Sequence, residues 1–229
     1  MTRVSFKRHR FPPDVIRHAV WRYFRFTLSF RDVEELMAQR GVDASYETIR
    51  CRTIKFGPMI ARNLNRRMLP ASPRWHLDEM VSTIGGERMF IWRTVDDEGE
   101  ILDLVVRKGR DTDAALKLLK RLLRNQAVAP ETIVTDGLRS YPAALRKLGL
   151  LDRHRPGRLR ENNRAENSHL PIRRRERKMQ GFKSQKPRRS VPHHSRCDLH
   201  TFAHQRHLIS RRTLRIFRGR ADLAWAAAA

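Results

Sequence analysis

The spacing of apolar positions changes character along the chain. After Pro12-Pro13-Asp14, apolar residues recur at Val15, Ile16, Ala19, Val20, Tyr23 and Phe24, the spacing of one helix face. Ser29 is placed to cap a second helix that gathers Val33, Leu36 and Met37. Gly41-Val42 makes a turn, and Ser45 caps a third helix, Tyr46 to about Phe56, which Gly57-Pro58 is expected to end. From Trp75 the period falls to two. Strands are expected over 75–84, 88–96 and 101–107, joined by turns at Gly85-Gly86 and Asp97-Glu98-Gly99, as an antiparallel meander. Helical spacing returns over Thr112–Asn125, with Ala114, Leu116, Leu118, Leu119 and Leu122 apolar. Ile133-Val134 reads as a buried strand ending at Asp136, Tyr141–Leu148 as a helix, and another helix begins near Asn163. Leu214 and Phe217 point to a last helix, followed by an alanine tail expected to be disordered.

The strand-strand-strand-helix-strand-helix order is that of a ribonuclease-H-like domain. The expected fold class is therefore α/β, a mixed sheet with flanking helices, preceded by a small all-α domain. Residues 1–66 are expected to form a helix-turn-helix domain with a basic arm, 67–74 a basic linker with the boundary near Pro70, 75–218 the catalytic domain, and 219–229 the tail. The third helix carries Tyr46, Arg50, Arg52 and Lys55, which suit DNA. A plain three-helix packing unit with a solvated basic face is the alternative.

Charge sharpens this picture. Lys and Arg total 49 against 24 acids, a net charge of +25, which calls for a polyanion, by default nucleic acid. The helix at 164–178 and the residues after it concentrate Arg164, Arg173, Arg174, Arg175, Lys178 and Lys183, read as a phosphate-contacting face on double-stranded DNA. Composition alone leaves room for a non-enzymatic basic protein. No apolar run approaches about 18 residues, so no membrane span is expected, and no apolar stretch follows the basic start, so no secretory signal is expected. Cys51 and Cys197 cannot form a disulfide framework, and a reducing cytoplasm is the expected location.

Three acids stand out against so basic a background. Asp78 falls in mid-strand within Trp75-His76-Leu77-Asp78-Glu79, Asp136 ends an apolar strand, and Glu166 lies one turn into a helix. A carboxylate inside a strand is costly unless something binds it. Phosphodiester chemistry is served by two magnesium ions about 4 Å apart, held by hard oxygen ligands with one or two carboxylates per ion. Asp78, Asp136 and Glu166 are thus the expected catalytic and metal ligands, for Mg2+ or Mn2+. Taken singly, Asp136 could be a turn or helix cap and Glu166 a salt-bridge partner. Glu79 competes with Asp78, but strand alternation points it to the opposite face. No Gly-rich phosphate loop supports a nucleotide-hydrolysing motor.

Trp75-His76-Leu77-Asp78-Glu79, Val134-Thr135-Asp136, Arg139-Ser140-Tyr141, Asn162 to His169 and Arg173 to Ser184 together resemble the DDE transposases of the IS6 (IS26-like) insertion-sequence family, over about Phe11 to Phe217. The resemblance implies a helix-turn-helix that binds terminal inverted repeats. It further implies a ribonuclease-H-like core using Asp78, Asp136 and Glu166 with magnesium, assembly as a homo-oligomer on paired DNA ends, and replicative transposition yielding cointegrates through strand transfer into target DNA.

Two stretches depart from that pattern. Arg52 and Thr53 stand where relatives carry a Trp and an aliphatic residue. Residues 187–200, with Pro187 and Pro192 and no apolar stripe, replace an expected amphipathic helix. Codons for Val191–His200 can be chosen whose shifted frame reads Phe-Leu-Thr-Ile-His-Gly-Ala-Ile-Tyr, which suggests a local frameshift later restored. His193, His194, Cys197 and His200 also resemble a zinc cluster, though not in a finger spacing. The alternative to an active transposase is an inactivated remnant that only binds DNA.

Overall fold

Proline fixes the backbone at a helix start without forfeiting a needed donor, and α1 (Pro13–Arg25) begins at such a residue. In this computed structural model, which describes residues 4–65, 71–126, 128–157, 161–182 and 211–228, the chain divides into two units. The first holds α1 with α2 (Phe30–Ala38) and α3 (Tyr46–Asn65). Ser29 and Asp32 form a reciprocal capping box at the start of α2. The Ser45 hydroxyl accepts the Thr48 amide at the start of α3. The Arg22 guanidinium donates to the Leu36 carbonyl at 3.0 Å, tying α1 to α2.

Two expectations fail in this unit. Helix α3 does not end at Gly57-Pro58 but runs on to Asn65. A proline removes one helical hydrogen bond, while Phe56, Ile60, Ala61 and Leu64 continue the buried stripe. Gly57 sits where the ring of Phe24 approaches; a Cβ there would lie 2.7 Å from it. The alanine-rich end is not disordered: α7 (Arg211–Ala228) is helical and buries Trp225 and Ala228 in the same core. Alanine is the best helix former, which suits it to such an end.

The second unit is built on a five-stranded sheet in the order β3-β2-β1-β4-β5. β1 (Arg74–Ile84), β2 (Glu87–Asp96) and β3 (Ile101–Arg107) form the antiparallel meander. Gly85 and Gly86 turn the first hairpin with φ of 59° and 81°, a conformation that favours glycine. After α4 (Thr112–Asn125), the short β4 (Thr132–Thr135) joins β1 in parallel. After α5 (Ser140–Lys147), β5 (His154–Pro156) extends the sheet beside β4. Trp75, Leu77, Trp92, Val105 and Ile133 pack against Leu118, Leu122, Tyr141 and Leu145 of α4 and α5. The other sheet face carries α6 (Asn163–Lys178).

β5 had no counterpart in the sequence reading. Residues 158–160 and 183–210 lie outside the described residues, and with them Lys183, the departing stretch 187–200 and the histidine-cysteine group at 193–200.

Candidate active site

The sheet register brings two of the expected acids together. β1 and β4 run parallel, and their last paired residues are Leu77 and Thr135. The next residue on each is Asp78 and Asp136, on neighbouring strands about 4.8 Å apart. β1 continues, pairing Asp78 with Arg93 of β2, whereas β4 has ended. Carboxylate oxygens of Asp78, Glu79 and Asp136 lie within 4.8 Å of one another.

Glu79 belongs to this group although alternation sends it to the opposite sheet face from Asp78. Its strand position does face α5: the Tyr141 hydroxyl donates to Oε2 at 2.8 Å. Asp136 lies past the end of β4, where no strand separates the two faces, so it is reached from both. The Arg110 Nε donates to Glu79 Oε1 at 2.7 Å, and Arg110 Nη2 lies 3.7 Å from Asp136 Oδ2. Burial pushes the Glu79 carboxyl above its usual range, and the Asp136 charge adds to this, while Tyr141 and Arg110 oppose it. Burial raises Asp136 too; the Leu138 amide, bonded to Oδ1 at 3.2 Å, pulls the other way, and the Asp78 charge raises it further. Burial also holds the Tyr141 hydroxyl well above its ordinary value.

α6 is fastened along β1 at successive points. The Asn162 amide donates to the Leu77 carbonyl at 2.8 Å, immediately before Asp78. His169 Nε2 approaches Asp78 Oδ2 at 3.2 Å, without the alignment of a regular hydrogen bond. The Arg93 guanidinium donates to the Ser168 carbonyl. Glu176 accepts from the Ser82 hydroxyl and the Thr83 amide, and beyond α6 the Gly85 amide donates to the Phe182 carbonyl. The lengths agree: Leu77 to Thr83 spans about 20 Å of strand, and Asn162 to Glu176 about 20 Å of helix. Burial lowers the His169 pKa and the nearby Asp78 raises it less.

Glu166 is not in the acidic group. It is exposed in the first turn of α6, its amide bonded to the Asn162 carbonyl at 3.2 Å. It stands four residues after Asn162 and three before His169, on a flank of α6 by helix phase. The helix phase also divides the basic run. Arg164, Arg173, Arg174 and Lys178 are exposed, but Arg175 turns inward and is 3% exposed, which removes it from the expected phosphate-contacting face. In the helical unit, Tyr46 is exposed beneath the Arg31 guanidinium. Arg50 is exposed but paired with Glu47, Arg52 is half-buried, and Lys55 is exposed beside His9.

Asn162, Arg110, Tyr141 and His169 escaped the sequence reading as members of the site. The paired asparagines before α6 were the available signal for the first. The donors meet Glu79 across 31 and 62 positions, beyond any local pattern.

A family model described as a DDE domain, of the IS240 transposase type, matches residues 72–195. The transposase for insertion sequence-like element IS431mec of Staphylococcus aureus (strain N315) is 33% identical over 143 residues, 62% of this chain and 63% of the relative. The transposase for insertion sequence element IS257 in transposon Tn4003 of Staphylococcus aureus is 32% identical over the same length. The aligned region thus spans 63% of the length of these curated relatives. A chain of a simian T-cell lymphotropic virus intasome in complex with PP2A regulatory subunit B56 gamma aligns with 45% of this chain and 39% of its own, at a TM-score of 0.35 and 18% identity, a likeness too slight to bear on mechanism.

Proposed function

The chain belongs to the IS240-type DDE transposases, within the IS6 group, and on that premise we propose that it cleaves and joins DNA at the ends of an insertion sequence. The observation that carries this reading is the pair Asp78 and Asp136, set side by side by the parallel register of β1 and β4. Carboxylate oxygens are the donors that Mg2+ or Mn2+ prefers, so the residues present fit such an ion. Bound there, a divalent cation supplies charge stabilisation to the attacked phosphate and the departing oxygen.

The chain's own groups do the rest. Asp78 is fixed by strand pairing on one side and by the clamp of Asn162 and His169 on the other. Asp136 is held by the Leu138 amide. Glu166, exposed in the first turn of α6, would be the third acid to hold the cation. Arg164, Arg173, Arg174 and Lys178 contact DNA phosphates, and helices α1–α3 act as a helix-turn-helix on the terminal inverted repeats through Tyr46, Arg50, Arg52 and Lys55. The protein works as a homo-oligomer bridging two DNA ends and a target duplex, in the bacterial cytoplasm. Among the described residues no helix is long and apolar enough to cross a membrane.

The test is Asp136→Asn on duplexes carrying the element's terminal repeats, with Mg2+ or Mn2+. Cleavage and strand transfer should vanish while DNA binding holds or tightens, because a negative charge facing phosphate is gone. Ordinary transfer by this variant refutes the assignment. The exposure of Glu166 outside the acidic group favours one competing reading, an inactivated transposase that only binds DNA. Unsubstituted protein that binds such duplexes but never cuts them would establish it.

A further inference from the structure

Three acids converge where the proposed chemistry needs a cation, yet their surroundings are unequal. The Glu79 side chain is 2% exposed and both its oxygens already accept hydrogen bonds, one from Tyr141 and one from Arg110. A buried carboxylate so satisfied would have to abandon a donor to take up a metal, and the donor left behind would lose its partner. Asp78 and Asp136 carry no comparable pairing: Asp78 has His169 Nε2 at 3.2 Å without hydrogen-bond alignment, and Asp136 is 3.7 Å from the far edge of Arg110. Arg110 is the half-exposed member of the group, at 46%, and it follows β3 just before the Asp111 N-cap of α4. Its Nε and Nη2 edge is spent on Glu79, which fixes the plane of the guanidinium at the mouth of the acidic group. A guanidinium has five donors in a rigid fork, so further donors are available to an approaching oxyanion.

Resting on the transposase reading above, we propose that Arg110 binds a DNA phosphate beside the acidic group, and that Glu79, held by Tyr141, is the positioning residue that aims it rather than a metal ligand. The three acids then sort into two cation ligands and one counter-ion. This gives DNA a fixed positive group next to carboxylates that would otherwise repel it. A planar, pre-oriented guanidinium suits phosphate better than a flexible ammonium would.

The decisive variant is the charge-conserving double substitution Glu79→Gln with Arg110→Gln, compared with unsubstituted protein and Asp136→Asn. Mn2+ binding is read without DNA from the electron paramagnetic resonance signal of free Mn2+. Affinity for a fixed 30-base-pair duplex is read over a salt series with Ca2+ present. The double variant should keep Mn2+ affinity within about threefold, while Asp136→Asn loses at least tenfold. The slope of log affinity against log salt should fall by about one, the signature of one phosphate contact removed. If the double variant loses Mn2+ as Asp136→Asn does, Glu79 is a ligand and the inference is wrong, while the acidic site stands. If Mn2+ binding is kept but the salt slope is unchanged, Arg110 does not touch phosphate. If Asp136→Asn itself binds Mn2+ normally, the reading of the acidic site falls and takes this inference with it. Should the double variant fail to fold, Arg110→Gln alone decides: it should bind Mn2+ more tightly, having lost a neighbouring cation, and show the same reduced slope, whereas weaker Mn2+ binding or an unchanged slope overturns the proposal.

Discussion

Replacing Asn162 probes the joint between α6 and β1. Its side-chain amide donates to the Leu77 carbonyl at 2.8 Å, and the residue is 3% exposed. Asn162→Ala removes the donor and leaves a buried carbonyl one partner short, a loss of about 1–3 kcal/mol. In a protein of this size each kcal/mol moves the melting temperature by about 2–4 °C, so a fall of about 2–12 °C is expected. Asn162→Asp is the sharper test. It keeps the shape but presents an oxygen to an oxygen and buries a charge next to Asp78, so it should be less stable than the alanine variant. Both variants should also lose metal-dependent strand transfer, since the bond precedes Asp78 by one residue and starts the helix that bears Glu166. Thermal melts monitored by circular dichroism rank the three proteins. An aspartate variant as stable as the parent would show that no amide donation to Leu77 operates, and the account of how α6 is fastened would fail.

Other consequences are as direct. Burial raises the Asp136 pKa above 3.8, so its ionised form weakens the fold, and stability falls as pH rises through the folded value. Asp136→Asn should therefore raise the melting temperature of the metal-free protein at neutral pH, and a lowered one would contradict the burial argument. His154 and His169 are both held below 6.5 by burial, so the unfolded chain binds protons more readily and stability should drop as pH falls below about 6.5. His154→Gln, which keeps a polar partner for the Thr135 hydroxyl, should flatten part of that drop in pH-dependent urea melts. Gly57→Ala gains about 1 kcal/mol of helix propensity, but its Cβ would stand 2.7 Å from the Phe24 ring, and overpacking costs about 1–3 kcal/mol. A net loss of stability is expected, relieved by adding Phe24→Leu; a stabilised single variant would mean the α1–α3 approach is looser than described.

The meander and α4 were legible because their signals are local. Alternation, paired glycines and an apolar stripe each act within a few residues, and strands 75–84 and 101–107 and helix 112–125 lie where these signals placed them, to within a residue. β5 was not legible. His154-Arg155-Pro156 has no apolar residue and becomes a strand only because β4 offers it a free parallel edge. The continuation of α3 shows long-range burial outweighing a local stop signal, whereas the C-terminal alanines combine high helix propensity with burial of Trp225. Ile60 and Leu64 continue to be buried beyond Pro58, and Trp225 anchors a segment that composition alone leaves featureless.

The site divides in the same way. Asp78 and Asp136 could be paired on paper because a parallel neighbour turns two strand positions into one place. Glu79 could not be ranked, because alternation decides which face a side chain leaves from, not where a long carboxylate ends. Past Thr135 the sheet stops acting as a wall, and an acid on the α5 face reaches one beyond the strand end. The same reasoning bears on Glu166. Ala165, His169, Ile172 and Arg175 are buried along one stripe of α6, in line with Asn162 just before it, so Glu166 falls on its flank by helix phase alone. With contacts to β1 at Asn162 and His169 on either side, the backbone at Glu166 is already placed. A flank position leaves that acid solvated, which spares its charge the cost of burial that Asp136 and Glu79 bear.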